Sequence, residues 1–441
     1  MIARASGGLT RVSTHWREKA VYALLFMLPV AGVSVRHWIS GSFALLTLLS
    51  LPELFKRKHN LRREERWFVL ICAAFFAVFL LSSLFNGWTD VQTRFLGREI
   101  RFLFAIPIYL MVRRYPDTGV WLLRGALLGA FVLCAQSLLD VYVFSQGRAT
   151  GAYSPNLLGP VAVLLAFYLL CAWKLEKHRV LRALIPVAVL ASLVSVALSG
   201  SRGAYLGLAV LSVVWIALSF RGRYTALAGA AVVGMIVVAF NLSHTLVERT
   251  SMALAEFKAH MQAENPAMLE GQFTRCYEYD PAEYPVHAAM YAAALAECLR
   301  RLGPVGARIE MARVSLLIVR DHPVLGVGRG NYTRAARSYV DAGLVHREAA
   351  QHSHPHNAYL EMMVSKGIVG LVVFLVLLLY PLIYFLRTFK ISRPPATLGI
   401  IHIVGFSVFS LVDASTFIKG NYVSLFLLFL IAFFAWQVRN V

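Results

Sequence analysis

The chain is short of charge, shorter still of acid, and nearly without cysteine. Only 15% of its 441 residues are Asp, Glu, Lys or Arg, against about 25% in soluble domains. That is too little to clothe a water-facing surface of this size. Acids number 23 against 43 basic residues, a formal net charge of +20. The five cysteines show no paired spacing, and no His/Glu spacing accompanies them, so nothing argues for a structural metal site. Cys72, Cys134 and Cys171 sit in apolar runs as packing residues. Cys276 and Cys298 lie in a polar stretch where an oxidising compartment would permit a disulfide. There is no internal repeat and no low-complexity tract. No small-residue cleavage site follows the first apolar run, so no cleavable signal peptide is expected.

What the chain has instead is hydrocarbon. Hydrophobic residues make up 58% of it, and its mean hydropathy is +0.63. Runs long enough to span a bilayer fall at 20–34, 39–55, 67–86, 99–113, 119–143, 157–173, 183–199, 203–220, 225–242, 366–386, 396–415 and 421–438. Isolated strands cannot satisfy their backbone groups in lipid, so the runs are helices. The expected fold is therefore all-α, a polytopic integral membrane bundle of about twelve transmembrane helices with one large helical loop domain. The expected division is 1–242 (spans 1–9), 243–363 (the loop domain) and 364–441 (spans 10–12).

The basic connections orient it. Lys56, Arg57, Lys58, Arg62, Arg63 and Arg66 crowd one loop. Others hold Arg113 and Arg114; Lys174, Lys177, Arg179 and Arg182; Arg221 and Arg223; and Arg387, Lys390 and Arg393. They alternate along the span count, as cytoplasmic loops do. Arg4, Arg11, Arg17 and Lys19 put the N-terminus on the same side. Both termini are then cytoplasmic and the long loop faces outward. Topology and anionic headgroups account for the net charge, so no nucleic-acid partner is expected.

The loop is not a linker. Tyr284, His287, Tyr291, Leu295 and Leu299 recur at helical spacing, and so do Met311, Val314, Leu317 and Ile318, ending before Pro323. Between 300 and 347 lie nine arginines, Arg300, Arg301, Arg308, Arg313, Arg320, Arg329, Arg334, Arg337 and Arg347. Only Glu310, Asp321 and Asp341 oppose them, with no lysine. Arginine keeps its charge and grips phosphate oxygens bidentately, so the bias points to a phosphate-bearing substrate, or else to a solvated face against headgroups. Arg202, in Ser199-Gly200-Ser201-Arg202-Gly203-Ala204, sits in a short outer turn between small residues. Arg94, Arg98 and Arg101 share one face of a helix entering the membrane and should face water or an anion. Interfacial snorkelling is the structural alternative for these arginines. The segment ends in His352-Ser353-His354-Pro355-His356-Asn357, just before a helical run. Histidine titrates nearest working pH, which makes this cluster the place to seek a general base; the alternatives are a metal chelate completed by Glu348 or Glu361, or a structural histidine at the interface.

These motifs resemble a known family. His356-Asn357-Ala358-Tyr359-Leu360, followed by Gly367-Ile368-Val369-Gly370-Leu371, is similar to the His-Asn-x-x-Leu signature of the bacterial O-antigen ligase and polymerase superfamily. Ser201-Arg202-Gly203 resembles its Ser-Arg-Gly element, and His322-Pro323-Val324-Leu325-Gly326-Val327-Gly328 its His-Pro-Leu-Leu-Gly-Val-Gly turn. Arg308 and Arg313 precede that turn at spacings the family commonly shows. The resemblance implies a glycosyltransferase of the inner membrane. It would take a glycan from undecaprenyl diphosphate and, in the ligase branch, join it to a sugar hydroxyl of lipid A-core. His356 would be the general base, and Arg202 and Arg308 would stabilise the diphosphate leaving group. Arg313, Arg98, Arg101, Asn357 and His354 would contact substrate. One displacement inverts the anomeric carbon, and neither metal, nucleotide nor other cofactor is required.

Other readings share that donor. A polymerase would use a second lipid-linked glycan as acceptor; its Arg-x10-Gly spacings in two outside loops are met once, at Arg148 and Gly159, with no equally placed second copy. A protein-glycosylating oligosaccharyltransferase would use a side chain. A transporter of the lipid-linked glycan would want further ionisable residues near the bilayer centre, where the runs are mostly clean.

Overall fold

A computed structural model describes residues 5–56, 59–220, 244–263, 265–270, 272, 301–413 and 415–441. The expected span at 225–242, most of the helical pattern over 282–302, Arg300, Cys276 and Cys298 lie outside the described residues. Every described segment is helix, turn or irregular; no strand occurs among them. The principal helices are α1 (Ala5–Ala31), α2 (Trp38–Leu54), α3 (Arg63–Phe85), α4 (Asp90–Val112), α5 (Thr118–Leu138), α6 (Pro155–Ala172), α7 (Arg179–Ser199) and α8 (Arg202–Ser219). They continue with α9 (His244–Gln262), α10 (Pro304–Asp321), α11 (Tyr332–Asp341), α12 (Ala358–Thr388), α13 (Arg393–Val412) and α14 (Gly420–Asn440).

Eight helices among the described residues are long and apolar enough to cross a membrane, and α2 is a shorter apolar helix. The chain is a polytopic helical membrane protein. The runs read at 20–34 and 99–113 overlap the second halves of α1 and α4, whose polar first halves keep them out of those eight.

The chain forms two compact units. The first comprises Met1–Leu80, Thr93–Gly229 and Val372–Val441; the second comprises Leu81–Gln92 and Ala230–Leu371. In the first, α14 is the central span, with 89% of its apolar window buried against 28% for α7 and α8. Phe426, Phe429 and Phe433 of α14 enclose His402 of α13. Tyr168 of α6 bonds that imidazole's Nδ1 at 2.6 Å, and its Nε2 lies 2.9 Å from the Phe426 carbonyl. Both ring nitrogens are thereby satisfied, and His402 is a core residue. Helices α1 and α5 meet closely because Gly125 and Gly129 leave room for backbone: a Cβ on either would lie 2.0 Å from the Phe26 carbonyl or 2.5 Å from that of Pro29.

At one end of this unit the basic loops fold onto buried glutamates. Glu53 receives Arg17, Lys56 and Arg114 at 3.4, 2.9 and 2.8 Å. Glu65 pairs with Arg113 at 2.7 Å and accepts from Tyr109 at 2.7 Å. Part of the positive charge in these basic connections is thus neutralised by protein, which composition alone did not reveal.

The second unit has a small core of its own. Ala307, Met311, Val314 and Ile318 form one face of α10, packed with Val327, Tyr332 and Ala336 and with Val345, Ala349 and Val364. This is the 3.6-residue period read from the sequence. A carboxylate on α9 holds the start of α10: Glu256 Oε1 accepts from the Val305 and Gly306 amides at 2.9 and 2.6 Å, where a negative charge meets the positive end of the helix dipole. Glu310 Oε2 accepts from the His346 amide at 2.8 Å, tying the loop before α12 to α10. At the far end of α10, Asp321 accepts from Arg320 at 2.8 Å and from the Tyr339 hydroxyl at 2.7 Å. The Arg320 hydrogen bond holds its carboxyl below the usual carboxylate range. The tie is therefore intact at neutral pH and is lost only as pH falls through that lowered pKa.

Helix α12 is broken at Gly367 (φ 66°, ψ −164°), and the turn after α10 repairs it. The Val327 and Gly328 amides donate to the Val364 and Ser365 carbonyls at 2.9 and 3.1 Å, and Ile368 and Val369 donate to Pro323 and Val324 at 2.8 and 3.4 Å. Ser82 Oγ adds bonds to the Leu325 and Ser365 carbonyls at 2.7 and 2.8 Å. Such proximity needs glycine on both sides. A Cβ on Gly367 would lie 2.1 Å from the Val324 carbonyl oxygen, and one on Gly326 (φ 64°) 2.3 Å from that of Val364. The Gly367→Ala variant should lose about 1–3 kcal/mol from backbone strain alone, before the clash is counted. Gly147→Ala, where a Cβ meets nothing within 4 Å, should stay within about 0.5 kcal/mol of wild type. Thermal midpoints of the two purified variants check the contrast.

Candidate functional site

The candidate base stands in strained backbone. His356 has φ 48°, the left-handed region that a side chain other than glycine seldom occupies. Pro355 precedes it, and Asn357 follows as the cap of α12. The Asn357 Oδ1 accepts from the Tyr359 and Leu360 amides at 2.9 and 3.1 Å, so this side chain shapes the helix start directly behind His356. The three histidines of the run come together: the His354 and His356 rings lie 4.5 Å apart by centroid, and those of His352 and His356 5.3 Å. Ser353 Oγ bonds His354 Nδ1 at 2.8 Å. The His352 carbonyl accepts from Thr333 at 2.9 Å and the Ala349 carbonyl from Tyr332 at 3.0 Å, so α11 supports the loop from beneath. Glu348, one of two carboxylates near the cluster in sequence, lies 3.7 Å from His352 Nε2.

The other, Glu361, has a different partner. It forms a 2.7 Å ion pair with Arg329, and the two residues are 3% and 1% exposed. Gln92 Nε2 reaches the Arg329 carbonyl at 3.4 Å. One of the nine arginines is thus an internal strut, and no charge count separates it from the rest. Several others face acids: Arg313 is 3.9 Å from Glu310, Arg347 3.8 Å from Glu270, and Arg320 pairs with its neighbour Asp321. Glu361 and Glu270 lie outside the 300–347 window, so that window overstated the unopposed charge. Arg308, Arg334 and Arg337 are exposed on α10 and α11. Lys366, 1% exposed and adjacent to the break in α12, was not singled out in the sequence at all.

The remaining candidates belong to the first unit. Gly200 (φ 54°) ends α7, Ser201 precedes α8, and Arg202 is the first residue of α8, exposed. Two residues shape this turn from outside it. Arg148 Nε donates to the Ser199 carbonyl at 2.8 Å, and a Cβ on Gly159 would lie 2.6 Å from Ser199 Oγ and 3.0 Å from Ser201 Cβ. The Arg148–Gly159 spacing has a structural reason: both members pack on the turn that carries Arg202. Arg101 spans three helices, donating to the Gly420 carbonyl at 3.1 Å, to Ser40 Oγ at 3.3 Å and to Ser424 Oγ. Its guanidinium is engaged as a clamp between α4, α2 and α14. Arg98 donates to the Ile418 carbonyl at 3.4 Å and stacks 4.6 Å over Phe95.

Fold and site together define a polytopic helical membrane protein with a polar helical unit carrying clustered histidines. Residues 186–375, a little under half of the chain, match the family model Wzy_C, described as O-Antigen ligase. The match takes in the Arg202 turn, Arg308, the turn at 322–328, and His356 through Gly370. A Haemophilus influenzae protein described as uncharacterized is 20% identical over 396 residues, 87% of this chain and 89% of that one, so likeness continues well beyond the family model's limits.

Removing one partner of the buried Arg329–Glu361 pair should destabilise the protein by about 3–5 kcal/mol, whereas replacing both with apolar residues should be far milder. A thermal-stability cycle of Arg329→Met, Glu361→Leu and the double variant measures this.

Proposed function

We propose that this protein is an O-antigen ligase. In this reading it transfers the O-antigen glycan from undecaprenyl diphosphate to a sugar hydroxyl of lipid A-core at the outer face of the bacterial inner membrane, with both termini in the cytoplasm. The observation that carries the reading is His356: a left-handed residue between a proline and a capped helix start, in contact with two further imidazoles. A strained position is maintained where surrounding structure holds it for a purpose. The match of residues 186–375 to the O-antigen ligase model supports this reaction class.

The chemistry follows from the bonds exchanged. The acceptor hydroxyl oxygen attacks the anomeric carbon, the carbon–oxygen bond to the diphosphate breaks, and the configuration inverts. His356 takes the acceptor proton as general base. Arg202 and Arg308, both exposed, neutralise the charge that grows on the leaving diphosphate. Arg313 and Arg98 are secondary phosphate contacts. Arg101 and Asn357 act chiefly by position, the first clamping helices and the second capping α12, while His354 orients the cluster. The arginines supply the positive charge that the leaving group needs, so the proposed reaction uses no metal.

Reconstitution tests it. Purified protein, undecaprenyl-diphosphate O-antigen and lipid A-core should yield glycan on lipid A-core. His356→Ala should reduce turnover by about 10²–10⁴-fold, and Arg202→Ala or Arg308→Ala by about 10²–10³-fold. Longer chains on the donor lipid alone would make the protein a polymerase. Glycan on a protein acceptor alone would make it an oligosaccharyltransferase. Full turnover by His356→Ala with loss in His354→Ala would move the base by two residues.

A further inference from the structure

A second basic site lies in the first unit, in residues that the transfer chemistry does not use. A cavity of about 320 Å³ is lined by Arg36, His37, Tyr153, Ser154, Lys419 and Tyr422, among others, and no carboxylate lines it. Arg36, His37 and Lys419 are exposed, and among the described residues none of the three forms an ion pair. The guanidinium of Arg36 makes one long bond, 3.4 Å, to the Ala152 carbonyl. Three cationic or protonatable side chains thus converge with nothing negative between them, an arrangement that favours an anion.

The backbone adds to the same field. His37 is the cap residue of α2, Ser154 of α6 and Lys419 of α14, and in none does the side chain make a capping bond. The positive ends of three helix dipoles therefore meet around this one cavity. His37 is also one of three residues other than glycine with positive φ among the described residues, at 63°. Its amide donates to the Tyr153 hydroxyl at 2.8 Å, which joins the α1–α2 connection to the loop before α6. Ser40 donates to Asn421 Oδ1 at 2.6 Å and joins α2 to α14. The walls are braced to one another, and the left-handed residue is held by the bracing.

We propose that this cavity binds a phosphoryl group esterified to a sugar or polyol. Arg36 offers the paired donors that match phosphate oxygens, and Lys419 a point charge. Tyr153, Ser154 and Asn421 offer hydroxyl and amide groups for the esterified polyol. The volume is at the lower end of the roughly 300–1,000 Å³ of small-molecule sites, which suits a phosphate with its sugar or glycerol and excludes a whole lipid. Helix ends of membrane spans lie at headgroup depth. The phosphoryl group therefore comes either from an anionic phospholipid headgroup or from a phosphorylated sugar at the membrane surface. None of the residues proposed for transfer lines this cavity, and binding alone tests it.

Full-length protein is placed in phosphatidylcholine nanodiscs and titrated with glucose 6-phosphate, with glucose as the neutral control. Wild type should bind the phosphate ester and not glucose. Arg36→Gln/Lys419→Gln should weaken binding about tenfold or more, the scale of losing charge-assisted hydrogen bonds, while Arg36→Lys/Lys419→Arg retains it. In a second arm, nanodiscs containing phosphatidylglycerol are compared by counting co-purified anionic lipid and repeating the titration. Phosphatidylglycerol retained by wild type, lost in the neutralised variant and competing with glucose 6-phosphate identifies a lipid headgroup. Undiminished glucose 6-phosphate binding there identifies a phosphorylated sugar. If the double variant does not purify as a monodisperse species, Lys419→Gln alone, at an exposed position, carries the comparison. Equal binding of both probes by wild type and the neutralised variant, or no phosphate-dependent binding in either arm, overturns the site.

Discussion

The break in α12 at Gly367, and the turn that heals it, is the constraint on which the polar unit depends. A helix that opens one turn loses backbone hydrogen bonds, and a buried amide or carbonyl without a partner costs several kcal/mol. Here the segment 323–328 supplies replacements in both directions, two amides given and two carbonyls offered. The exchange requires backbone to approach backbone, hence Gly326 and Gly367 in left-handed conformations. It also fixes where α12 starts, because the helix is anchored about ten residues after His356. The Arg329–Glu361 pair, one residue beyond that turn and one helical turn into α12, reinforces the same junction from inside.

Around this junction the polar unit uses buried carboxylates as ties. Glu256 holds the start of α10, Glu310 holds the loop at His346, and Glu361 holds Arg329. The first unit does the same with Glu53 and Glu65 beneath its basic loops. A chain with few acids spends several of them on structure. Much of its excess positive charge remains on the surface, available to anionic lipid and to phosphate. The cavity at Arg36, His37 and Lys419 is one place where that excess is concentrated by folding rather than by sequence proximity.

The motifs divide into those proposed to carry chemistry and those that support the fold around them. His322-Pro323-Val324-Leu325-Gly326-Val327-Gly328 supports: its backbone, not its side chains, bonds α12. Arg148 and Gly159 shape the turn before Arg202, and Asn357 caps the helix behind His356. What remains as candidate chemistry is small: His356 with its two neighbouring imidazoles, and exposed arginines at 202 and 308.

The helical class and the positions of eight of the expected spans were legible because lipid leaves the backbone one economical solution, and apolar runs of the right length announce it. The period of Met311, Val314 and Ile318 marked the buried face of α10 for the same local reason. Also legible were Arg202 at a tight turn and the histidine run at a helix start, since turns and caps are encoded within a few residues. Which arginine is a strut and which is exposed was not legible, because Arg329 finds Glu361 and Arg101 finds Ser40, Gly420 and Ser424 across long separations in the chain. The meeting of His37, Ser154 and Lys419 at one cavity was equally hidden, since each is an unexceptional helix-preceding residue in its own neighbourhood. Sequence by itself determined what must be helix and which ends carry charge. Tertiary structure decided which charges are neutralised and which are left exposed, because that depends on through-space distances that no local pattern records.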